Sequence, residues 1–349
     1  MSQSKSQPLY EAFKAECADL IREGVLREQV TLAPLTSFNI GGPADFFAEV
    51  KTVEQLEKVI TEAVKNEIPY YILGGGSNTL FSDKGFRGVV IRPGFKAIAV
   101  TEEPEGGSIV VEAGLPLSQL IQTAAKHELS GMEVWIGLPG TVGGAVRGNA
   151  GAGGSEISDF LASATIFDLQ TLSIKEFKNE DLKMSYRYSM LKDNPHLIVL
   201  SATFHFDKKK SAEDQRITMQ ETLAKRHASQ PKGQNAGCMF KNATRPSPLD
   251  PHAVTVVSSG KLIDECGLKG TRIGGIEISM VHGNFLQNVG GTTAKPGDPP
   301  APQATQKDVL DMIALVKKTV KEKENIDLHE EVQIVYEFGM QPESRSELQ

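Results

Sequence analysis

Two glycine clusters constrain the fold of this chain more than any other feature of its sequence. The first is Gly74–Gly76, which directly follows the apolar run Tyr70–Leu73, and the second, from Gly137 to Gly154, contains eight glycines. Each glycine in regular structure costs up to about 1 kcal/mol relative to alanine, because glycine loses the most conformational freedom on folding. The clusters therefore indicate turns in which the backbone approaches another segment or a ligand closely.

Both clusters are candidate phosphate-binding turns. A strand that ends in Gly74–Asn78 exposes consecutive backbone N–H groups, which can surround an anion. The first cluster is not a P-loop, because no Gly-Lys-Ser/Thr follows, and its spacing differs from the dinucleotide-binding pattern GxGxxG. Each cluster alone is also compatible with a tight structural turn or a glycine-rich loop between strands. The two clusters together favour a pyrophosphate site.

Length and charge exclude several classes of protein. A single core seldom grows beyond about 250–300 residues, so 349 residues predict two or three domains. The formal net charge of −7, with no basic run longer than Lys208–Lys210, argues against nucleic-acid binding. The sequence has neither an apolar run of about 18 residues nor an apolar leader, so we expect a cytoplasmic protein that does not enter a membrane. Cys17, Cys238 and Cys266 lack CxxC spacing, which predicts reduced thiols and no metal site.

Hydrophobic periodicity predicts a small α/β unit in the first part of the chain. Residues 1–30 have the pattern of one or two helices, and residues 46–50 alternate as in a strand. The runs Tyr70–Leu73 and Val89–Pro93 predict two further strands. Thr52 can cap the helix that precedes them. The buried face of that helix would carry Leu56, Val59, Ile60, Ala63 and Val64.

The rest of the chain has an α+β pattern. Short β-rich runs surround one helix at Ser118–Glu128, and Ser211 and Thr305 are candidate N-caps of two later helices. Alternation from Val332 to Phe338 predicts a closing strand. The second capped helix would bury Val309, Ile313, Val316 and Val320. The predicted division is a first domain at 1–93 joined by the strand at 328–338, a second at 94–211, a third with a loop-rich middle at 212–327, and a tail at 339–349.

Five side chains outside the glycine clusters are candidates for chemistry. Arg187 lies among aromatic residues that can shield it from water, although on its own this segment fits an arginine stacked on tyrosine for structural reasons better. Cys238 is either a reactive thiol or a buried small hydrophobe. Lys241 and Asn242 supply a cation and an amide close to it in sequence. Glu331, at the mouth of the closing strand, is on its own typical of a surface carboxylate.

These segments occur in an order that resembles one enzyme family. The order is FNIGGPAD, ILGGGSN, GLPGTVGGAVRGNAG, YRYS, AGCMFKN, GKLIDECGLKGTRIGG and LHEEV. It resembles the UDP-N-acetylenolpyruvoylglucosamine reductase family from about residue 31 to residue 335, and the single YRYS-type loop resembles the second subtype. GGGSN is shared with the wider group of flavin oxidases, whereas GLPGTVGGAVRGNAG and AGCMFKN are specific to the reductases.

The resemblance implies a fold, a cofactor and a reaction. Two subdomains of the PCMH type would hold FAD non-covalently, and a third α+β domain would bind the substrate. NADPH would reduce the flavin, and hydride would then pass to the enolpyruvyl ether of UDP-N-acetylenolpyruvoylglucosamine, which gives UDP-N-acetylmuramate for peptidoglycan synthesis. The implied cofactor-binding positions are Gly74, Gly75, Gly76, Ser77, Asn78, Thr79, Gly137, Pro139, Gly140, Thr141, Gly143, Gly144, Ala145, Asn149, Ala150 and Gly151.

The resemblance also implies three catalytic residues. Arg187 would place a permanent cation on the substrate carboxylate as negative charge develops there. Glu331 has to be protonated or hydrogen-bonded to help, since a bare carboxylate would repel that charge. Cys238 stands where many relatives carry a serine as proton donor; a thiol is still mostly protonated at pH 7 and can keep this role. The implied substrate-binding residues are Tyr186, Arg226, Lys241 and Asn242.

Some features depart from the family or leave alternatives open. The segments Ala243–Val257 and 294–304 look longer than is usual. A related flavin oxidase would use oxygen, but it should lack the GCMFKN and LHEEV motifs together. A non-catalytic nucleotide-binding relative would be expected to have lost Arg187, Cys238 or Glu331. We expect a monomer that binds no nucleic acid.

Overall fold

The computed structural model describes residues 3–246, 254–293 and 300–340, and both helices and strands occur along it, which confirms the predicted α+β class. The chain forms two compact units. Unit 1 consists of Met1–Val30, Asp45–Gly75 and Gly88–Arg226, and unit 2 of Thr31–Ala44, Gly76–Arg87 and His227–Gln349. The three-domain division made from the sequence has other boundaries and stays a prediction.

The helices and strands of the described residues are numbered in chain order. The helices are α1 Gln3–Glu16, α2 Ala18–Arg22, α3 Val53–Lys65, α4 Leu117–Lys126, α5 Val142–Gly148, α6 Ala212–Ser229, α7 Ser259–Glu265 and α8 Gln306–Glu324. The strands are β1 Leu26–Thr31, β2 Pro43–Val50, β3 Tyr70–Ile72, β4 Thr79–Phe81, β5 Phe86–Pro93, β6 Ile98–Glu103, β7 Gly106–Glu112, β8 Gly151–Ala152, β9 Ser155–Glu156, β10 Leu161–Asp168, β11 Ser173–Lys178, β12 Leu197–Asp207, β13 Asn235–Cys238, β14 Ala243–Pro246, β15 Val254–Val257, β16 Arg272–Ile273, β17 Ile276–Ile278, β18 Phe285–Asn288, β19 Gln333–Tyr336 and β20 Gly339–Met340.

Unit 1 contains two large sheets. In the first, four strands lie in the order β1-β2-β5-β3, and β3 runs parallel to β5. In the second, five strands lie in the order β11-β10-β12-β7-β6, and each neighbouring pair is antiparallel. The first glycine cluster follows β3, so Gly74 lies just beyond the carboxyl end of this strand, which is paired in parallel with β5.

Helix α3 packs its apolar face into the core of unit 1. The Thr52 hydroxyl accepts a hydrogen bond from the Gln55 N–H, which confirms the predicted cap. Val64 was predicted on the buried face but is 49% exposed, because it lies at the edge of the apolar stripe in the last turn. The buried residues of the helix are Leu56, Val59, Ile60 and Ala63.

The prediction of one or two helices over residues 1–30 is wrong for the last residues of that range, which form a strand. Helix α2 ends at Arg22, and Gly24 has a φ of 73°, a left-handed conformation that lets the chain leave a helix. The following residues form β1 at the edge of the first sheet. Four of its six residues are exposed, so the strand shows little of the alternation by which it could be predicted.

Helix α8 forms the centre of the core of unit 2. The Thr305 hydroxyl accepts a hydrogen bond from the Asp308 N–H, and the Asp308 carboxylate accepts one from the Thr305 N–H. This capping box confirms the predicted start of the helix. The predicted apolar face is confirmed as well, since the buried residues include Val309, Ile313, Val316 and Val320.

The middle of unit 2 has more regular structure than the loop-rich region that was predicted. Strands β13, β18, β17 and β16 form a sheet in that order, and β14 pairs with β15. Each of these strands has only two to four residues, which is too short for hydrophobic alternation to predict. Of the two segments that look long for the family, residues 247–253 and 294–299 lie outside the described residues.

The closing strand β19 pairs in parallel with β4 and antiparallel with β20. The predicted strand is thus present, although the structure limits it to Gln333–Tyr336. The predicted tail at 339–349 differs at its start, because Gly339 and Met340 pair with β19; residues 341–349 lie outside the described part. In the described ranges, no helix is both long and apolar enough to cross a bilayer.

Candidate active site

The two glycine clusters lie against each other within unit 1. A Cβ atom added to Gly75 would come within 2.9 Å of the Gly140 Cα, and one added to Gly74 within 2.7 Å of the Thr141 hydroxyl oxygen. Real Cβ atoms do not approach backbone that closely, so position 75 requires glycine, whereas a side chain at position 74 would have to displace the Thr141 hydroxyl. Gly140 has a φ of 115°, which glycine adopts without strain. The glycines of the two clusters therefore serve, first, to bring two turns together.

The second cluster starts helix α5 and leaves part of its surface open. The N–H groups of Val142 and Gly143 are used inside the protein, by the carbonyls of Leu115 and Ala113. Gly144, by contrast, is exposed, and a Cβ added to Gly148 would meet no atom within 4 Å. Of the predicted cofactor-binding positions, Gly143 thus has its N–H group engaged within the protein, while backbone beside Gly144 stays accessible to a ligand.

Gly76–Asn78, the remainder of the GGGSN motif, belong to unit 2. Gly76 has a φ of 65°, and a Cβ there would collide with the Leu35 carbonyl oxygen. The Ser37 N–H donates to the Gly76 carbonyl at 3.0 Å. Asn78 points to the closing strand: its Nδ2 donates to the Glu331 carbonyl at 3.1 Å, and its own carbonyl accepts from the Gln333 N–H.

Unit 2 places the Cys238 segment beside the Glu331 segment. The Glu331 N–H donates to the Met239 carbonyl at 2.8 Å, and the Lys241 N–H donates to the His329 carbonyl at 2.9 Å. Cys238, Lys241 and Glu331 are all half-buried. Backbone pairing therefore holds Glu331 beside Cys238 and Lys241, about 90 residues earlier in the sequence, and all three are predicted to act on one substrate.

A bulge in β13 sets the direction of Cys238. The pairing of β13 with β18 changes register between Asn235 and Cys238, and Gly237, which lies between them, has a φ of 77°. The Asn235 carboxamide oxygen accepts a hydrogen bond from the Gly237 N–H at 3.0 Å. Such bulges re-aim side chains and are common beside active sites. The glycine before Cys238 is needed for this local geometry.

Sequence reasoning missed Asn284, which fixes the backbone next to Cys238. Its side chain is 2% exposed; the carboxamide accepts from the Phe240 N–H at 2.9 Å and donates to the Phe240 carbonyl at 2.8 Å. Its backbone carbonyl accepts from the Met239 N–H at 2.8 Å. The His282 Nδ1 accepts the Asn284 N–H at 3.2 Å, so this ring nitrogen is unprotonated there. Burial lowers the pKa of His282, and the nearby Lys269 lowers it further.

Arg187 lies in a tight turn of unit 1. Ser185 and Tyr188 exchange two backbone hydrogen bonds, of 3.0 and 2.9 Å, so Tyr186 and Arg187 form the two-residue centre. Arg187 has a φ of 57°, and its guanidinium lies over the Tyr186 ring, 5.1 Å from the ring centroid. The Arg187 Nη2 donates to the Gly151 carbonyl at 3.2 Å. The guanidinium is therefore anchored to the second glycine cluster while it remains half-buried.

Asn149, predicted among the cofactor-binding residues, turns its side chain inward. It is fully buried and ends helix α5 with a φ of 43°. Its Nδ2 donates to the Ser185 carbonyl at 2.9 Å and to the Glu156 carboxylate at 2.7 Å. Its Oδ1 accepts from the Ser158 N–H at 3.0 Å. The carboxamide is thus engaged with protein on both sides.

The other predicted residues fall into the two units. Arg226, near the end of α6, lies beside Gly137, whose added Cβ would be 3.2 Å from the Arg226 Cδ. Tyr186 is 46% exposed, and Asn242 is exposed next to Lys241. Unit 1 thus brings together residues 74–75, 137–151, 186–187 and 226, and unit 2 residues 76–79, 238, 241–242 and 331.

Comparison with known proteins gives consistent matches. A family model for an FAD binding domain matches residues 44–171, and one for the C-terminal domain of UDP-N-acetylenolpyruvoylglucosamine reductase matches residues 229–296. The chain is 40% identical to UDP-N-acetylenolpyruvoylglucosamine reductase of Clostridium novyi over 313 residues, 89% of this chain and 92% of that one. With that of Bacillus subtilis it shares 38% identity over 305 residues, 87% and 92% of the two chains. The crystal structure of UDP-N-acetylenolpyruvylglucosamine reductase from Thermus caldophilus matches with a TM-score of 0.66 and 35% identity, over 88% of this chain and 99% of that one.

Proposed function

The chain belongs to the UDP-N-acetylenolpyruvoylglucosamine reductase family, and from this premise we propose that it reduces UDP-N-acetylenolpyruvoylglucosamine to UDP-N-acetylmuramate in peptidoglycan precursor synthesis. The expected family and fold, an FAD-binding part of the PCMH type with a separate C-terminal domain, are confirmed by the matches. One observation carries the proposal for the site: the backbone pairing that holds Cys238 and Lys241 next to Glu331.

The glycine turns of unit 1 fit the proposed cofactor. Gly144 is exposed and Gly148 has open space beside it, so a pyrophosphate can approach the backbone where any larger side chain would intrude. Thr141 lies between these turns and offers a hydroxyl to the same surface. When bound, FAD supplies the hydride, which it receives from NADPH.

We propose Arg187 as the residue that stabilises the developing negative charge. Addition of hydride to the terminal vinyl carbon moves the double-bond electrons toward the α-carbon and the carboxylate of the substrate. A guanidinium keeps its charge at every relevant pH and can hold a carboxylate with two parallel N–H bonds. Because the Arg187 backbone is fixed in a tight turn, the cation needs little reorganisation when the charge appears.

We propose Cys238 as the proton donor that completes the reaction. The α-carbon takes the proton of the thiol, and the resulting thiolate is reprotonated from water before the next turnover. An ordinary thiol, with a pKa of about 8.5, is protonated at pH 7 yet a stronger acid than a serine hydroxyl. Glu331, whose backbone is paired with Met239, would assist as a protonated or hydrogen-bonded carboxyl group.

The remaining polar residues suit the nucleotide sugar. Lys241 offers a cation and Asn242 an exposed amide, both directly after the Cys238 segment, for the diphosphate and the sugar. Tyr186 and Arg226 in unit 1 are proposed for the same substrate. The substrate carries two phosphates, and the chain has a net charge of −7. Local cations such as Lys241 and Arg226 are therefore needed to attract the substrate.

The experiment uses the colour of a bound flavin under anaerobic conditions. The purified protein should be yellow, and NADPH should bleach it with oxygen excluded. Addition of UDP-N-acetylenolpyruvoylglucosamine should then restore the colour and yield UDP-N-acetylmuramate, detected by mass. A bleached protein that regains colour only with oxygen would instead be a flavin oxidase, and the proposal would fail.

A further inference from the structure

The Arg187 turn is held in a conformation that an arginine adopts only at a cost. With a φ of 57°, Arg187 occupies the left-handed region, which costs a residue with a side chain roughly 1–2 kcal/mol relative to a right-handed conformation. In a turn of this kind, glycine or asparagine usually stands at the second central position. Such strain persists only where the surrounding contacts determine the backbone.

Three hydrogen bonds join this turn to alternate residues of the second glycine cluster. The Ser189 hydroxyl donates to the Arg147 carbonyl at 2.7 Å, and the Arg187 guanidinium donates to the Gly151 carbonyl at 3.2 Å. Between them, the Asn149 carboxamide donates to the Ser185 carbonyl at 2.9 Å. Of the three, only the bond from Asn149 comes from a side chain on the cluster itself.

We propose that Asn149 is a positioning residue for Arg187, an inference that rests on the proposed catalytic role of Arg187. The Ser185 carbonyl that accepts from Asn149 also accepts the Tyr188 N–H, the bond that closes the turn. Asn149 therefore holds the base of the turn. Asn149 is fully buried, so water can replace its hydrogen bonds only when the surrounding structure opens.

Neither glycine nor aspartate can replace all the interactions of the asparagine at position 149. The backbone has a φ of 43°, the Nδ2 has two acceptors, Ser185 and Glu156, and the Oδ1 has one donor. Glycine would keep the backbone and lose all three bonds. Aspartate would keep the backbone but place an oxygen against the Glu156 carboxylate, where asparagine has a donor.

The test separates a positioning role from a general structural one. The variant Asn149→Gly removes the carboxamide, and its matched control is Asn325→Gly, since Asn325 also ends a helix in the left-handed conformation but is exposed, in unit 2. For Asn149→Gly we expect FAD content and the rate of flavin reduction by NADPH within twofold of wild type. The rate at which the reduced enzyme consumes the enolpyruvyl substrate should fall about 10- to 100-fold, as misplacement of a catalytic group by an ångström does. Asn325→Gly should change neither rate.

A double-mutant cycle and a measurement on the ligand-free chain complete the test. In an Arg187→Ala background, Asn149→Gly should cost less than twofold further, because a positioning residue has nothing left to position. In the ligand-free protein, hydrogen exchange of the Ser185 and Tyr188 amides should accelerate in Asn149→Gly and stay unchanged in Asn325→Gly. Should Asn149→Gly fail to fold, Asn149→Ser takes its place in the same measurements.

Each outcome bears on a different statement. Normal substrate reduction by Arg187→Ala would refute the proposed role of Arg187 itself. Impaired Arg187→Ala with normal substrate reduction by the Asn149 variant would overturn the positioning role alone. Loss of FAD from the Asn149 variant, or equal losses in both half-reactions, would likewise overturn it in favour of a cofactor-binding or structural role.

Discussion

The backbone that carries Arg187 and the backbone that carries Cys238 are held in place by different sets of contacts. In each, a buried asparagine fixes the backbone beside the functional side chain: Asn149 in unit 1 and Asn284 in unit 2. The Cys238 segment is also bound to residues 329–331 and to β18 by backbone hydrogen bonds. The Arg187 turn is tied to the second glycine cluster by hydrogen bonds that side chains donate.

This difference separates the roles of backbone and side chain. A proton donor has to reach one atom of the substrate, and the bulge before Cys238 directs it with little strain, because glycine occupies the left-handed position. A cation that meets developing charge acts through its field, so a turn with a left-handed Arg187 suffices if it is tied in place. Substitutions in the two regions should therefore differ in whether they change activity, stability or both.

The largest expected effect is that of Cys238→Ala. Without a proton donor, reduction of the enolpyruvyl substrate should fall by about 10²–10⁴, the usual contribution of a general acid, while flavin reduction by NADPH persists. Cys238→Ser should keep substantial turnover, because a hydroxyl can donate the proton as well. Stopped-flow absorbance of the flavin measures both half-reactions, and an Ala variant with normal substrate reduction would show that another group is the donor.

Arg187→Gly tests whether the residue that stabilises the negative charge is also the residue whose backbone is strained. Loss of the cation should slow substrate reduction about 10²–10³-fold, as for other groups that stabilise an oxyanion. Arg187→Gly and Arg187→Ala both lose the bond to the Gly151 carbonyl, but only glycine adopts a φ of 57° without penalty, so Arg187→Gly should have the higher free energy of unfolding, by about 1 kcal/mol. Thermal unfolding of both variants and single-turnover kinetics check these results, and an Arg187→Gly variant no more stable than Arg187→Ala would contradict the strain argument.

Asn284→Ala should act on stability more than on any single step. Phe240 is 1% exposed, and its N–H and carbonyl would both lose their partner, each at a cost of about 1–3 kcal/mol. Urea unfolding followed by circular dichroism measures the loss.

The exposed Asn325→Gly serves as the control for Asn284→Ala and should change the free energy of unfolding by well under about 1 kcal/mol, because glycine adopts the left-handed conformation of Asn325 without strain. If Asn284→Ala were as stable as this control, the carboxamide could not be what fixes the Cys238 segment.

The smallest expected effect is that of pH on stability, and the two units should lose stability over different pH ranges. Burial lowers the pKa of His282 from its ordinary 6.5, so in unit 2 the stability that its neutral form provides is present above pH 6.5 and lost as pH falls through the folded-state pKa. In unit 1, burial alone would raise the pKa of Glu133, but hydrogen bonds from Lys210 and the Gly131 N–H hold it below its ordinary 4.5. That contribution is present above pH 4.5 and lost below it.

Two probes distinguish these ranges. Trp135, the single tryptophan, is fully buried two residues from Glu133, and its fluorescence reports unit 1. Hydrogen exchange of the Phe240 amide reports unit 2. Between pH 7 and 5.5 the opening free energy at Phe240 should fall while the Trp135 unfolding midpoint stays constant; a shared pH dependence would contradict the assignment. Glu133→Gln should reduce the change at Trp135 below pH 4.5 without abolishing it, because unit 1 also contains Asp168, whose pKa the hydrogen bond from Lys175 lowers to about 2.

Local signals made part of the fold predictable. Thr52 and Thr305 cap their helices as expected, because a cap depends on residues three positions away. The apolar faces of α3 and α8 follow from helical spacing, apart from Val64. By contrast, β16 has two residues and β17 three, so neither could show a period.

The site was only partly predictable for a related reason. Motifs indicated Arg187, Cys238 and Glu331, whose roles remain proposals. Asn149 and Asn284 form hydrogen bonds with backbone groups 36 and 44 residues away. The residues that flank an asparagine in the sequence do not indicate such a distant partner.

The pairing of β4 with β19 has a consequence for biosynthesis. Asn78 and Glu331 meet across 253 residues, so the ribosome must make almost the whole chain before β4 gains its neighbour. Unit 1, whose segments end at Arg226, has all its strands available much earlier. Pairing over such separations is slow, because the ends of a long loop must find each other first. We therefore expect newly made chains to pass through an interval in which unit 1 is folded, unit 2 is open, and chaperones or proteases compete for Gly76–Arg87.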